Sequence, residues 1–205
     1  MDLSSWLSLL NVLVLVFSLF QLVTIIIVKK SSFLILLSSA LLTYLISNVI
    51  YLIDDALVIA IRFLNTASLV CILSALFNLI RESKPIFARF PTILGYLPFV
   101  ILLFIPLILD QSVIYNLILG TFQGGALIVS ILIFSINQKN EKNYSLLIIG
   151  TLVCLIAFIF FWMIPLTDIQ RSTVVTELLL IAGVLLISLG TKQSQINNPN
   201  GRSII

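Results

Sequence analysis

Residues 5–30 read SWLSLLNVLVLVFSLFQLVTIIIVKK, an uncharged and mostly apolar run that ends at Lys29 and Lys30. About 20 such residues are enough for a helix to cross the roughly 30 Å hydrocarbon core of a membrane. Because no water there can satisfy backbone N–H and C=O groups, the run is expected to be helical. It is too long for a secretory signal and lacks a basic start, so we expect it to stay in the protein as a membrane span.

Similar runs fill the rest of the 205-residue chain, which is 60% hydrophobic and only 9% charged. This composition lies outside the range of soluble globular domains and predicts an all-α, polytopic membrane bundle. We predict a seven-helix transmembrane domain over residues 1–190 and a disordered cytoplasmic tail over residues 191–205. The predicted spans cover residues 5–28, 32–53, 56–80, 91–109, 112–136, 144–165 and 173–190.

The basic residues are concentrated in alternate gaps between these spans. Those that follow spans one, three, five and seven are Lys29, Lys30, Arg81, Lys84, Arg89, Lys139, Lys142, Lys192 and Arg202. By the positive-inside rule these gaps are cytoplasmic, so the amino terminus is expected outside and the carboxyl terminus in the cytoplasm. The number of spans must then be odd. We therefore expect a multi-pass protein of the cell membrane, in contact with the lipid bilayer. Topology and anionic lipid explain the net charge of +3, so no nucleic-acid partner is expected.

Polar side chains within the spans are grouped on particular helix faces, where residues recur at intervals of three, four and seven. The clearest stripe lies in span two and continues to Asp55. A polar stripe that faced lipid would cost free energy, so such stripes are expected to face other helices or a hydrated cavity. We predict an outward-opening pocket between spans one, two, three, five and seven. Its predicted ligand-binding residues are Asn11, Tyr44, Ser47, Asn48, Tyr51, Arg62, Asn65, Asn116, Gln123 and Glu177.

Two of these residues, Arg62 and Glu177, are charged groups inside predicted spans. Arginine presents a planar fork to carboxylate or phosphate, so the two could pair across the pocket and orient a small polar or anionic ligand. Alternatively, Arg62 reaches the outer interface or pairs with Asp54 or Asp55. For the stripe of span two, the alternative is interhelical hydrogen bonding without a ligand.

Other residues have structural interpretations. Cys71 and Cys154 fall within spans and are expected to pack as buried thiols. The chain has no histidine, so we expect no metal site and no cofactor. Trp6, Trp162 and Tyr115 lie near the outer boundary, where aromatic residues are typical of the membrane interface.

The fourth and fifth spans carry residues that affect helix shape and packing. Pro98 and Pro106 predict a kinked or broken fourth span. Gly120 and Gly124 give span five the spacing that lets membrane helices approach closely. A kinked, apolar span four suits a linker between spans one to three and spans five to seven.

That arrangement resembles the one found in PQ-loop sugar transporters. Phe20-Gln21 in span one is similar to Phe122-Gln123 in span five, although the chain has no Pro-Gln motif. The resemblance implies two helical halves around a solute path.

A second resemblance is to the microbial rhodopsins. Arg62-Phe63-Leu64-Asn65 resembles the Arg-Tyr-x-Asp segment of that family, and Trp162 is followed closely by a proline. The last span has no lysine before Lys192, so the resemblance implies a fold without bound retinal. A third and weaker resemblance is to membrane lysoplasmalogenases. The chain lacks the intramembrane aspartate pair that such an enzyme would need.

The predicted function is transport of a small solute, because the chain is small, carries polar groups in its spans and leaves no room for a soluble output domain. The alternative is a ligand-sensing receptor or accessory subunit that acts through a separate cytoplasmic protein partner. A second, cytoplasmic vestibule reaching Ser18, Gln21, Ser74 or Ser130 would favour transport. We predict no enzyme activity and no catalytic residues, since acid and base catalysis needs titratable groups within hydrogen-bond reach. The enzyme alternative is an intramembrane lipid hydrolase.

Overall fold

The structure is a computed structural model that describes residues 3–54, 56–83, 89, 91–109, 111–140, 144–163 and 169–196. All regular structure in these residues is helical. The helices, in chain order, are α1 (Leu3–Val28), α2 (Ser32–Ile53), α3 (Val58–Ser83), α4 (Thr92–Leu107), α5 (Ser112–Asn140), α6 (Ser145–Met163) and α7 (Ile169–Ile196).

Six of the helices are long and apolar enough to cross a membrane. Their apolar stretches are Trp6–Val28, Ser32–Ile53, Val58–Arg81, Ser112–Gln138, Ser145–Trp162 and Val174–Ser194. These six confirm the helical membrane-bundle class. The seventh predicted span is the shorter helix α4, and the predicted count of seven stays a prediction.

Helix α4 departs from α geometry, as its prolines predict. It consists of 3₁₀ turns over Thr92–Val100, one α turn over Ile101–Phe104 and a final 3₁₀ turn over Ile105–Leu107. Proline has no N–H to donate and its ring disfavours the α-helical contact with residue i−4. A 3₁₀ helix repeats every three residues, and the two buried residues of the stretch Thr92–Val100, Gly95 and Pro98, have that spacing.

The last helix differs from its prediction at both ends. Helix α7 begins at Ile169 and continues to Ile196, past the predicted boundary at Gly190. Thr191 and Ser194 are buried, which explains why the helix continues into the segment predicted as tail. Residues 197–205 of that segment lie outside the described residues.

By contact density the chain divides into two compact units. One contains residues 1–21 and 127–197, and the other contains residues 22–126 and 198–205. These units do not coincide with the predicted halves of spans one to three and five to seven. They are described separately below.

In the unit of residues 22–126, α2 and α3 form an antiparallel pair joined by polar contacts. The buried Ser68 hydroxyl donates to the Ala40 carbonyl at 2.8 Å, and Ser47 donates to the Ile61 carbonyl at 3.4 Å. On α3, Asn78 packs directly against Gly95 of α4, where a Cβ would collide with its side-chain amide. The close approach therefore depends on glycine at position 95.

In the other unit, α6 and α7 pack through a seam of glycines. A Cβ on Gly190 would lie 2.8 Å from the Leu147 nitrogen, and a Cβ on Gly150 would lie 2.9 Å from the Ile187 nitrogen. The obstructing atoms belong to the backbone and cannot move aside as a side chain would. Small residues at these positions allow the close backbone approach that stabilises helix pairs in lipid.

Candidate functional site

Arg62 lies one turn into α3. It is half-buried, and its Nη1 donates a 2.6 Å hydrogen bond to the Leu109 carbonyl. Leu109 follows the end of α4, where carbonyl groups have no partner within the helix. The guanidinium also lies over the ring of Tyr115, 5.4 Å from its centroid. Arg62 therefore ties the start of α3 to the segment after α4 and to the start of α5.

Tyr115 is buried, with only 4% of its surface exposed, so its predicted place in an interfacial aromatic belt is wrong. Its hydroxyl donates to the Arg62 carbonyl at 3.0 Å, and the Thr66 hydroxyl donates to the same carbonyl at 2.9 Å. A buried phenol needs a hydrogen-bond partner, and this carbonyl supplies it. The phenol and hydroxyl oxygens lie 3.5 Å apart. By contrast, Trp6 and Trp162 are exposed, as an aromatic belt requires.

A groove begins beside this cluster and runs between α3, α4 and α5. We call it the α3–α4–α5 groove. The space between its lining residues totals about 280 Å³ including open space at its mouth, and about 10 Å³ of it is open to the centre of a water molecule, which is room for about one water. Its exposed lining is apolar, and it is therefore unlike the predicted polar pocket. The lining residues are Thr66, Leu69, Val70, Leu73, Ile101, Ile105, Tyr115, Ile118, Leu119 and Phe122.

The predicted stripe of span two is divided between buried and exposed positions. Ser47 is buried against α3, as described above. Asn48 is half-buried and donates from Nδ2 to the Tyr44 carbonyl of its own helix at 2.8 Å. Tyr51 is 56% exposed, and Asp55 lies outside the described residues. The contact of Ser47 is of the interhelical kind that needs no ligand.

The remaining predicted residues of α3 and α5 also differ in their surroundings. Asn65 is half-buried, and its Oδ1 is enclosed without a hydrogen-bond partner among the described residues. Asn116 is exposed and Gln123 is half-buried. Asn11 and Glu177 belong to the other compact unit. The five-span pocket and the pairing of Arg62 with Glu177 therefore stay predictions.

In the unit of residues 1–21 and 127–197, polar residues of α1 are directed away from the exposed surface. Asn11, Ser18 and Gln21 are all buried, and Ser18 is fully so. The Ser188 hydroxyl of α7 donates to Gln21 Oε1 at 3.0 Å. Glu177, nearer the other end of α7, is half-buried, and its Oε2 is enclosed without a hydrogen-bond partner among the described residues.

Two features of this unit were missed from the sequence. Ser188 was not predicted as a site residue because it is an isolated serine among apolar residues. Nothing in the local sequence predicts its contact with Gln21. The glycine seam was missed because its members lie on different helices, although Gly183 and Gly190 are seven residues apart and share one face of α7. Cys154 packs against Gly183, consistent with its expected role as a packing thiol.

Comparisons with protein-family models, curated proteins and solved structures gave no match. No family or homologue identifies the chain as PQ-loop-like or rhodopsin-like, so both resemblances stay predictions.

Proposed function

We propose that the chain is a multi-pass membrane carrier for a small polar solute, and that α1 supplies part of the solute path. The observation that carries this proposal is the orientation of α1. Its polar Asn11, Ser18 and Gln21 are buried, whereas Leu13 and Phe20 are exposed. The polar stripe covers about 15 Å of depth at 1.5 Å per residue. Polar groups held away from lipid inside a membrane protein commonly mark substrate pathways.

Enclosed oxygen atoms without a partner support the same interpretation. Ser18 Oγ and Glu177 Oε2 lack hydrogen-bond partners among the described residues. An enclosed polar atom without a partner costs about 1–3 kcal/mol. A polar solute, or water that accompanies it, would supply the missing hydrogen bonds.

We further propose that α4 is a seventh crossing, so that the amino terminus is outside and the carboxyl terminus cytoplasmic. A 3₁₀ helix rises about 2.0 Å per residue, against about 1.5 Å in an α-helix. With its mixed geometry, α4 extends about 30 Å, which matches the hydrocarbon thickness. A seventh crossing also satisfies the alternation of basic residues between gaps, which requires an odd number of spans.

The test is a solute screen followed by a flux measurement. Purified protein is screened for thermal stabilisation across sugars, amino acids, organic acids and polyamines, since a ligand that binds only the folded state raises its stability. Each stabilising compound is then tested in proteoliposomes by counterflow of the labelled compound. We expect at least one compound to bind and to show counterflow. If no compound in any class binds or shows counterflow, the carrier proposal is wrong.

Matched variants connect the activity to α1. Asn11→Leu and Gln21→Leu are expected to reduce binding and counterflow at least about tenfold, which corresponds to about 1.4 kcal/mol. Thr121→Val on α5 is the control, because its exposed hydroxyl bonds to the Leu117 carbonyl of its own helix. Asn48→Leu tests the polar pocket predicted from span two. Loss in Asn48→Leu with none in the α1 variants would move the path to α2.

The second proposal is a ligand-sensing receptor, and the contact of Gln21 with Ser188 favours it. Both side chains are buried and bonded to each other, which closes the stripe of α1 at the end predicted to be cytoplasmic. A receptor needs access from one side only and would act through a cytoplasmic protein partner. Saturable binding without counterflow, unchanged in Gln21→Leu, is the result expected for a receptor.

A further inference from the structure

We propose that the α3–α4–α5 groove binds one anionic phospholipid, with the phosphate at Arg62 and an acyl chain along the groove. The site is independent of the solute path proposed for α1. It joins two observations, the position of a partly exposed cation and the apolar groove beside it.

The geometry places the cation at one end of the groove. On α3, Arg62 precedes the lining residue Thr66 by one turn, and its backbone carbonyl accepts the Thr66 hydrogen bond. On α4, the Arg62 contact at Leu109 follows the lining residue Ile105 by one turn, and the Leu109 N–H donates to the Ile105 carbonyl. Tyr115 contacts the guanidinium and also lines the groove. The contacts of Arg62 with α3, with the segment after α4 and with α5 therefore all lie at the same end of the groove.

The groove has the chemistry of a lipid tail site. It extends from Thr66 to Leu73 on α3, about 10 Å at 1.5 Å per residue. Its exposed lining is apolar, as the surroundings of a lipid tail are. An acyl chain lying in the open groove would cover this lining and leave no polar group unsatisfied.

Arg62 has the chemistry of a headgroup site. A guanidinium has five N–H donors, and the hydrogen bond from Nη1 to Leu109 uses one of them. Arg62 is half-buried, and a cation within a membrane span is costly unless it is paired. Phosphate oxygens accept from arginine in a bidentate manner, so a phospholipid of the same leaflet supplies both the anion and the tail.

The experiment compares four additives by thermal unfolding of the purified full chain in a neutral detergent. These are dioleoyl phosphatidylglycerol, dioleoyl phosphatidylcholine, dihexanoyl phosphatidylglycerol and inorganic phosphate. We expect a saturable rise in Tm of at least about 3 °C with the first lipid, and less than half of that rise with the others. An equal rise with inorganic phosphate or with the short-chain lipid would overturn the tail site. An equal rise with phosphatidylcholine would overturn the charge selection.

Two variants and one control separate the parts of the site. Arg62→Gln is expected to lower the shift caused by dioleoyl phosphatidylglycerol to that of phosphatidylcholine. Leu73→Phe fills the groove and is expected to remove the advantage of the long tail. Arg89→Gln, the same change at an exposed arginine, is expected to keep the full shift. A full shift in both Arg62→Gln and Leu73→Phe would overturn the proposal.

A measurement on the unaltered chain covers the case in which these variants do not fold. Phosphatidylglycerol with a diazirine in its acyl chain is photoactivated in proteoliposomes, and labelled residues are identified by mass spectrometry. We expect labels at Leu73, Ile101 and Phe122 that excess phosphatidylglycerol removes and excess phosphatidylcholine does not. Labels spread evenly over exposed residues such as Leu13 and Phe20 would overturn the proposal.

Discussion

The Arg62 guanidinium donates a 2.6 Å hydrogen bond to the carbonyl oxygen of Leu109, a residue 47 positions further along the chain. The contact links the start of α3 to the end of α4 without using another side chain as acceptor. It gives a charged group within a predicted span a defined structural role.

The first prediction concerns the stability that this contact provides. Arg62→Met keeps an apolar stem but removes the guanidinium, and we expect the free energy of unfolding to fall by about 1.5–3 kcal/mol, the usual value of a hydrogen bond to a charged group. Tyr115→Phe keeps the ring under Arg62 and removes only the hydroxyl, so a smaller loss of about 1 kcal/mol is expected. Unfolding by SDS in mixed micelles measures both. Equal losses in the two variants would contradict this ranking.

A second prediction concerns the glycine seam between α6 and α7. Gly190→Ala places a methyl group against the Leu147 backbone, and we expect a loss of about 1–3 kcal/mol in unfolding free energy. The control is Gly125→Ala on α5, where an added Cβ meets nothing within 4 Å. Alanine favours a helix over glycine by up to about 1 kcal/mol, so the control is expected to be as stable as the natural chain or more so. The same unfolding assay compares them, and equal effects would contradict a close backbone contact.

The third prediction addresses the contact of Ser188 with Gln21. Ser188→Ala leaves the Gln21 oxygen buried without this donor, and we expect a loss of about 1 kcal/mol. A double-mutant cycle with Gln21→Leu is expected to give a coupling of about 0.6 kcal/mol, and not above about 1.7, as found for other membrane helices. Ser39→Ala is the control, because that hydroxyl is exposed and bonds to the Ile35 carbonyl of its own helix. Zero coupling would remove the observation that favours the receptor proposal.

A fourth prediction tests whether α4 crosses the membrane. In a chain with Cys71→Ala and Cys154→Ala, single cysteines are introduced by Arg89→Cys before α4 and by Gln111→Cys after it. Both natural residues are exposed. A membrane-impermeant maleimide applied to sealed cells is expected to label the cysteine at 111 and to spare the one at 89.

Two further sites orient that experiment. Lys30→Cys and Lys192→Cys are expected to be spared in sealed cells and labelled after permeabilisation, since both are predicted to be cytoplasmic. Labelling of the cysteines at 89 and 111 from the same side would show that α4 does not cross, and the chain would then have six spans.

The helical class could be predicted from the sequence because uninterrupted apolar runs leave few alternatives in a membrane. The bounds of α2, Ser32–Ile53, agree with those predicted, since Lys29, Lys30 and Asp54 limit the apolar run on both sides. The continuation of α7 to Ile196 was not predicted, because Thr191 and Ser194 appear polar in sequence and only their packing makes them interior residues.

The candidate site was harder to predict, because a helical stripe identifies a face but not its neighbour. Asn11 and Ser47 are buried, as expected of a stripe that avoids lipid, whereas Tyr51 and Asn116 on similar stripes are exposed. Tyr115 was assigned to the interface from its place near the end of a span. Its actual partner, the Arg62 carbonyl, is 53 residues away, and no local pattern predicts a contact over that distance.

The 3₁₀ geometry of α4 restricts how this segment can change during evolution. With three residues per turn, deleting one residue turns every later side chain by about 120°, whereas in an α-helix the rotation is about 100°. A deletion before Gly95 would turn that residue away from Asn78, against which it packs, and would shorten the segment by about 2 Å. We therefore expect substitutions among exposed apolar residues of α4 to be tolerated, while changes in its length are not.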